Sequence, residues 1–160
     1  VAIPLYELPT KQARGVLPKQ VPMEDAVFNV SHSSLLTAAL ASGRLDVLRH
    51  AMRDKLHQPY RASMIPGMEE VLRNAPDHGA LGAVLSGAGP TLLMLAHAGD
   101  PQRAELESYV KQTMKAAGVE VETRWVKPCP HGVQVTVTET SGPPQPPLTA
   151  VRKEQPGVSV

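Results

Sequence analysis

Two short apolar runs in the middle of the chain, residues 83–85 and 92–95, flank a five-residue break at 86–90. Continuous apolar runs of this length are typical of strands buried on both faces or of a buried helix segment, and the nearby glycines favour strands. Gly87 and Gly89 in the break allow backbone angles that are closed to other residues. The pattern predicts two core strands joined by a tight turn, or by a rigid loop suited to packing on a phosphate or another glycine-rich loop.

Apolar residues recur at helical spacing over most of the first half of the chain. Residues 22–41 carry an apolar arc so wide that it predicts a long helix buried against more than one neighbour. Residues 44–56 predict a second helix, antiparallel to the first. The stretch His-Gln-Pro-Tyr-Arg at 57–61 is interpreted as a break between helices. Further helices are predicted from Pro66-Gly67 and from Asp100-Pro101, where the proline suits a first turn.

Strand-like patterns stand at both ends of this helical region. Residues 1–6 are rich in β-formers, and residues 119–126 and 133–138 alternate apolar with polar side chains, which is typical of strands with one buried face. The mixed order predicts an α+β fold: an antiparallel sheet of about four strands with helices packed on one face. From Ser141 prolines dominate, so we expect one domain over residues 1–140 and a flexible Pro-rich tail over 141–160.

Composition narrows the possible functions. The 160 residues are 42% hydrophobic, which is enough for one core, and the net charge of +1 with 3% aromatics argues against nucleic-acid binding. The single cysteine, Cys129, excludes an internal disulfide framework and fits a reducing cytoplasm. No run reaches the roughly 18 apolar residues of a membrane span. We therefore expect a cytoplasmic protein that binds neither nucleic acid nor membrane.

Familiar catalytic motifs are missing. The six histidines and one cysteine do not fall at zinc-ligand spacing, so we expect no metal site. Neither a Gly-x-Ser-x-Gly elbow nor a Gly-Lys-Ser/Thr phosphate loop is found, and Ser86 has no evident base partner, so no catalytic residue is assigned. Taken alone, Arg14 and Arg61 are unremarkable, because a lone arginine is usually a solvated surface residue.

Four segments in the same order form a more specific pattern. They are Leu-Pro-Thr…Ala-Arg…Leu-Pro at 8–18, Asp-Ala-Val-Phe-Asn-Val-Ser at 25–31, Leu-His-Gln-Pro-Tyr-Arg…Ile-Pro-Gly at 56–67 and Leu-Ser-Gly-Ala-Gly-Pro-Thr at 85–91. Together they resemble the C-terminal half of the homoserine kinases, a family of the GHMP kinase superfamily. The resemblance runs from about residue 1 to about residue 138 and implies a ferredoxin-like GHMP kinase C-terminal domain.

The resemblance also implies an activity and a site. It implies ATP-dependent phosphorylation of L-homoserine to O-phospho-L-homoserine in threonine biosynthesis, with Arg14 and Arg61 gripping the substrate carboxylate, a task for which the planar guanidinium is suited. ATP and Mg²⁺ would be bound mainly by an N-terminal GHMP domain. The loop that would support that domain's nucleotide loop comprises Ser86, Gly87, Ala88, Gly89, Pro90 and Thr91.

The family's own nucleotide loop does not occur in these 160 residues, and the chain starts at Val1 without a methionine. We therefore expect part of a longer or split enzyme that does not phosphorylate homoserine alone. Two alternatives stay open: another GHMP kinase acting on mevalonate or a sugar, and a non-catalytic ferredoxin-like module for ligand binding or dimerisation. The wide apolar helix at 22–41 leaves room for a homodimer face.

Overall fold

Four short strands form one antiparallel sheet in the computed structural model, which describes residues 1–130. Residues Val1–Lys127 make up one compact unit, to which the sheet and all the elements below belong. The strands are β1 (Ala2–Pro4), β2 (Gly82–Leu85), β3 (Leu92–Leu95) and β4 (Val121–Thr123). Their order across the sheet is β2-β3-β1-β4, and each neighbouring pair is antiparallel. The predicted antiparallel α+β architecture is confirmed.

Six α-helices surround this sheet in the described part of the chain. They are α1 (Thr10–Gly15), α2 (Met23–Ser42), α3 (Leu48–Ala51), α4 (Gln58–Arg61), α5 (Met68–Asn74) and α6 (Arg103–Ala116). Short 3₁₀ turns cover Leu45–Val47, Ala62–Met64 and Ala75–His78. Helices α1 to α5 lie between β1 and β2 along the chain, and α6 connects β3 to β4. With the strand order above, this connectivity is the predicted ferredoxin-like fold.

The main core lies between the sheet and helices α5 and α6. The amphipathic stripe of α6 places Leu106, Val110 and Met114 in it, each buried, as their helical spacing predicts. Leu92 at the centre of the sheet and Val71 of α5 are fully buried in the same cluster. A second, smaller cluster forms around Leu48 of α3 and covers Val84, which points away from the main core. Both faces of β2 are therefore packed, as its unbroken apolar run predicts.

The predicted helix at 44–56 is broken in the structure. Its first part is a 3₁₀ turn and the short helix α3, after which the chain leaves helical geometry at Met52. Polar side chains hold the following residues instead: the Asn29 side-chain oxygen accepts from the Lys55 backbone N–H at 2.8 Å. Side chains that bond to the backbone compete with the helical ladder, and here they end it. Apolar spacing alone could not reveal this competition.

The prediction of a break at 57–61 was also wrong, because Gln58–Arg61 form α4 and His57 is its N-cap residue. Pro59 lies in its first turn, where a missing backbone N–H costs nothing. At the other end of the unit, β4 spans only Val121–Thr123 of the predicted strand 119–126. The predicted strand 133–138 and the tail 141–160 lie outside the described residues, so the domain boundary at 140 remains a prediction.

Helix α2 is less buried than its sequence predicts. Ala39 is its one fully buried residue, whereas Met23 is 78% exposed, Val30 69% and Val27 56%. Leu35 and Leu40 are exposed as well. The side of α2 that faces the unit carries Asn29, Leu36 and Ala39, so only part of the apolar arc is covered. Within Val1–Lys127, the predicted burial of this helix against more than one neighbour is wrong.

Candidate functional site

The polar residues of α4 tie this short helix to the sheet. Gln58 and Arg61 are both buried, with 8% and 6% of their surface exposed. The Gln58 side-chain oxygen accepts from the Leu85 backbone N–H at 2.6 Å, at the end of β2. The loop at residues 86–91, which we call the glycine loop, begins there. A buried backbone donor is costly to leave unpaired, so this hydrogen bond fixes α4 against the end of the strand.

Arg61 connects three separate parts of the unit. Its Nε donates to the Ala13 carbonyl of α1 at 2.9 Å. Its Nη1 donates to the Gly87 carbonyl of the glycine loop at 3.2 Å and to Nδ1 of His57 at 2.9 Å. Burying a cation is costly unless its N–H groups are hydrogen-bonded, and these three acceptors pair the N–H groups of Nε and Nη1. The guanidinium thus holds the glycine loop and α1 in one arrangement.

The contact with Arg61 determines the state of His57. A guanidinium has only donors, so Nδ1 of His57 accepts and the neutral ring carries its hydrogen on Nε2. That Nε2 lies 3.7 Å from Oδ1 of Asp54. Burial lowers the pKa of His57 below its ordinary value of 6.5, and Arg61 acts in the same direction, against the opposing charge of Asp54. The fold therefore favours the neutral ring.

Asp54 lies four residues before the first residue of α4, and 10% of its side chain is exposed. Its Oδ2 accepts from the backbone N–H groups of His57 at 2.9 Å and Gln58 at 2.7 Å. Burial acts to raise the pKa of this carboxyl, but the hydrogen bonds from Gln58, from the Asn29 side chain and from His57 outweigh it, and the pKa is lowered. Asp54 is therefore a buried carboxylate at the start of α4.

The lowered pKa of His57 predicts a pH-dependent stability. As the pH falls below 6.5, the unfolded chain takes up a proton on this histidine before the folded chain does, so the free energy of unfolding decreases until the pH passes the folded pKa. Asp54 has its effect in a more acidic range, below its ordinary pKa of 3.8. We expect His57→Gln to flatten the dependence between about pH 7 and about pH 5 in urea unfolding. The exposed His50→Gln is the control, and an unchanged slope in His57→Gln would contradict the prediction.

The glycine loop joins β2 to β3 and shows little side chain to solvent. The Ser86 N–H donates to the Thr91 carbonyl at 2.8 Å, and the Gly89 N–H donates to the Ser86 carbonyl at 3.0 Å. Gly87 has φ +57° and Gly89 φ +86°, values that favour glycine. Ser86 and Gly87 are exposed, and a Cβ at Gly87 would meet nothing within 4 Å. The tip of the loop is therefore open to an approaching backbone or ligand.

The two loop glycines should respond differently to substitution. A Cβ at Gly89 would lie 2.8 Å from Cδ1 of Ile65 and 3.0 Å from Cδ1 of Leu85, whereas Gly87 faces open space. Both substitutions to alanine strain a left-handed residue by about 1 kcal/mol, and only Gly89→Ala adds overpacking. We expect Gly89→Ala to lower the free energy of unfolding by roughly 1–2 kcal/mol more than Gly87→Ala. Equal losses in chemical denaturation would show that the loop packs differently.

Of the residues singled out from the sequence, Arg61 and Gly87 are in direct contact. Arg61 contacts the glycine loop directly through Gly87 and contacts α1 through Ala13. Arg14 is the next residue of α1 and is exposed, and its side chain makes no hydrogen bond or ion pair to residues 1–130. Arg61 is thus bonded to the carbonyl of Ala13, the residue that directly precedes Arg14.

Three residues of this region were missed by the sequence reasoning, namely Asp54, His57 and Gln58. A signal for the helix was present in Pro59, since proline is typical of a first helical turn, but it did not point to Asp54. Asp54 was overlooked because the helical spacing of residues 44–56 runs across it. Among the described residues, no cluster of three or more His, Cys, Asp or Glu side chains could hold a metal ion. None of the helices in that part of the chain is long and apolar enough to cross a membrane.

Comparison with known proteins gives consistent matches. The family model for the C-terminal domain of GHMP kinases matches residues 36–116, just over half of the chain. The homoserine kinase of Thermus thermophilus is 54% identical over 100 residues, which cover 62% of this chain and 34% of that protein. The homoserine kinase of Moorella thermoacetica is 45% identical over 139 residues, covering 84% and 45%.

A solved structure agrees with the sequence matches. The crystal structure of a homoserine kinase from Cytophaga hutchinsonii superposes with a TM-score of 0.69 at 30% identity, over 76% of this chain and 38% of that one. The chain therefore spans less than half the length of the relatives it matches.

Proposed function

This chain belongs to the GHMP kinases, and from that premise we propose that it supplies the amino-acid-binding side of a homoserine kinase. The observation that carries the proposal is the buried guanidinium of Arg61, held between α1 and the glycine loop. Homoserine kinases are its relatives at 45–54% identity, which supports homoserine as the substrate rather than mevalonate or a sugar.

One nitrogen of Arg61 is the proposed contact for the ligand. Nε and Nη1 are bonded to the protein, whereas Nη2 makes no hydrogen bond to any residue in the range 1–130. In our proposal Nη2 donates to one oxygen of the homoserine carboxylate, and the exposed Arg14 on the adjoining α1 provides the second positive charge. Such charge-assisted bonds are stronger than neutral ones.

The proposed reaction transfers the γ-phosphoryl group of ATP to the side-chain hydroxyl of homoserine. A new O–P bond forms as the bond from phosphorus to the oxygen retained by ADP breaks, and the hydroxyl proton is released. Catalysis of this kind depends mainly on positioning and charge stabilisation. The role of this chain is positioning: Arg14 and Arg61 hold the carboxylate, so that the hydroxyl at the other end of the substrate is directed towards the nucleotide.

ATP and Mg²⁺ belong, in this proposal, to an N-terminal GHMP domain. Bound Mg²⁺ neutralises charge on the phosphates, but the described residues offer no acidic cluster that could hold it, so no step is assigned to it here. The proposed role of this chain in nucleotide binding is to support the nucleotide loop of that domain. The open tip of the glycine loop, from Ser86 to Thr91, is the surface against which that second glycine-rich loop can pack.

The exposed apolar face of α2 is the proposed contact for the N-terminal GHMP domain, with a second copy of the chain as the alternative occupant. If the chain is part of a homoserine kinase, as we propose, it belongs to a cytoplasmic enzyme of threonine biosynthesis.

The proposal is tested by phosphorylation assays on the natural polypeptide that contains residues 1–160. L-Homoserine, mevalonate and a hexose are each offered with ATP and Mg²⁺, and the product is identified by mass and by ³¹P NMR. We expect phosphate on the homoserine hydroxyl and none on the other two alcohols. The 160-residue chain assayed alone should be inactive. Turnover of mevalonate or the hexose in place of homoserine would contradict the substrate, and no turnover of any alcohol would favour a non-catalytic module.

A further inference from the structure

The Asp54 carboxylate accepts four hydrogen bonds, three of them from backbone N–H groups at and just before the start of α4. Its Oδ2 accepts from two backbone N–H groups, those of His57 and Gln58, at 2.9 and 2.7 Å. Its Oδ1 accepts from the Leu56 N–H at 3.2 Å and from the Asn29 side-chain amide at 2.7 Å. Hydrogen bonds to a buried carboxylate are among the stronger ones in proteins. The chain from residue 54 to the start of α4 is therefore shaped around one carboxylate.

Asn29 connects this carboxylate to α2. Its amide nitrogen donates to Asp54 while its oxygen accepts from the Lys55 N–H at 2.8 Å, so both ends of the amide are used. Lys55 also forms an ion pair with Asp25, one turn earlier on α2, at 2.9 Å. The loop before α4 thus has a fixed position on the longest helix of the unit, and not only on its own backbone.

The same carboxylate reaches Arg61 through one side chain. The backbone N–H of His57 donates to Oδ2 of Asp54, and its ring Nε2 lies 3.7 Å from Oδ1. On the other side of the ring, Nδ1 accepts from Nη1 of Arg61. The His57 ring is thus one of three acceptors that hold the guanidinium, and it shares Nη1 with the Gly87 carbonyl of the glycine loop. A path of contacts leads from α2 through Asp54 and His57 to Arg61.

We propose that Asp54 is a positioning residue of the amino-acid site: its carboxylate orients α4 and the His57 ring so that the Arg61 guanidinium keeps its bonds to Ala13 and Gly87 and presents Nη2 to the substrate. This inference rests on the proposed function for its kinetic consequence. Its structural part, the dependence of Arg61 on Asp54, stands independently of the substrate.

The first variant is Asp54→Asn in the natural polypeptide. It preserves the shape of the side chain but points an amide NH₂ at backbone donors. We expect the KM for homoserine to rise about 10–100-fold, while the KM for ATP changes less than about 3-fold. The reason is that the variant disturbs only the position of Arg61, which binds the carboxylate of homoserine. Asp46→Asn, at an exposed aspartate paired with Arg44, is the matched control and should leave both constants unchanged.

A second pair of variants leaves the Asp54 hydrogen bonds to the backbone in place, in case Asp54→Asn fails to fold. His57→Leu removes the acceptor for Nη1 of Arg61, and His57→Gln restores an acceptor. We expect His57→Leu to raise the KM for homoserine at least about 10-fold, and His57→Gln to recover most of that loss. Equal KM values in the leucine and glutamine variants would overturn the path through His57.

An NMR measurement separates failure of this inference from failure of the proposed function. The Nε–H signal of Arg61, protected by its bond to Ala13, and the ¹⁵N shifts of the His57 ring are compared in the unsubstituted protein and Asp54→Asn. We expect a neutral ring with hydrogen on Nε2, and loss of the protected Arg61 signal in the variant. An unchanged Arg61 signal in folded Asp54→Asn would overturn the inference, whether or not homoserine is phosphorylated. A changed signal in a protein that does not accept homoserine would support the positioning of Arg61 and refute only the substrate.

Discussion

Replacing Arg61 by alanine should lower kcat/KM for homoserine by about 10³-fold, mainly through the KM for homoserine. The substitution removes the cation that we assign to the carboxylate, and it leaves the Ala13 and Gly87 carbonyls without their donor. Hydrogen bonds to charged groups contribute about 1.5–3 kcal/mol each, so the free energy of unfolding should also fall, by about 2–4 kcal/mol. Steady-state kinetics with homoserine and with ATP, together with urea unfolding, measure the two effects.

Arg61→Lys separates charge from geometry. Lysine keeps the positive charge but lacks the planar fork that reaches Ala13, His57 and Gly87 together. We expect it to retain less than about a tenth of the activity, whereas Arg73→Ala, at an exposed arginine of α5, should remain within about 2-fold. An Arg61→Lys enzyme with full activity would mean that only the charge at this position matters.

Introducing two aspartates on the exposed face of α2, Val27→Asp with Val30→Asp, should abolish most of the activity of the natural polypeptide. Both valines are exposed within Val1–Lys127, and valine and aspartate have similar helix propensities. The free energy of unfolding of the unit itself should therefore change by less than about 1 kcal/mol. Where this face packs on a second domain, each valine contributes about 1.5–3 kcal/mol and the added charges are buried unpaired. The expected result is a loss of at least about 10²-fold in kcat/KM, measured alongside thermal unfolding of the unit.

The control for α2 is Val126→Asp, at another exposed valine outside the helix. It should leave activity within about 2-fold. Light scattering on the same samples distinguishes the two possible occupants of the face. Loss of a dimer in the α2 variant would identify a second copy, and loss of activity in a particle of unchanged size would identify the N-terminal domain. Full activity in the α2 variant would contradict the contact altogether.

The sheet and α6 were predictable because their signals are local. The unbroken apolar runs of β2 and β3 reflect packing on both faces, and the spacing of Leu106, Val110 and Met114 reflects one buried stripe. In each case the pattern of neighbouring residues indicates both the type of element, strand or helix, and which of its sides are buried. No longer-range information was required to interpret them.

The segment from Asp54 to Arg61 was less predictable because its conformation depends on distant partners. Asn29 ends the helical spacing at Lys55, and Leu85 fixes Gln58, across 26 and 27 residues of sequence. Neither contact has a periodic signature. Arg61 shows the same limit: its sequence position resembles that of a surface arginine, whereas its burial follows from carbonyls in α1 and the glycine loop.

The apolar arc of α2 illustrates a different limit. Its sequence indicates burial, but periodicity does not reveal whether the covering surface lies in the same compact unit. Within Val1–Lys127 the arc is largely exposed at Met23, Val27 and Val30. The pattern was interpreted correctly as apolar, but the predicted burial against more than one neighbour is not found within this unit.

The most direct test of the account is a crystal structure of the natural polypeptide with L-homoserine and an ATP analogue that cannot transfer phosphate. The account predicts the homoserine carboxylate at about 3 Å from Nη2 of Arg61 and within reach of Arg14, with Arg61 still bonded to Ala13 and Gly87. It also predicts the triphosphate on the side of the Ser86 to Thr91 loop. A homoserine carboxylate bound elsewhere, with Arg61 contacting only Ala13, His57 and Gly87, would contradict it.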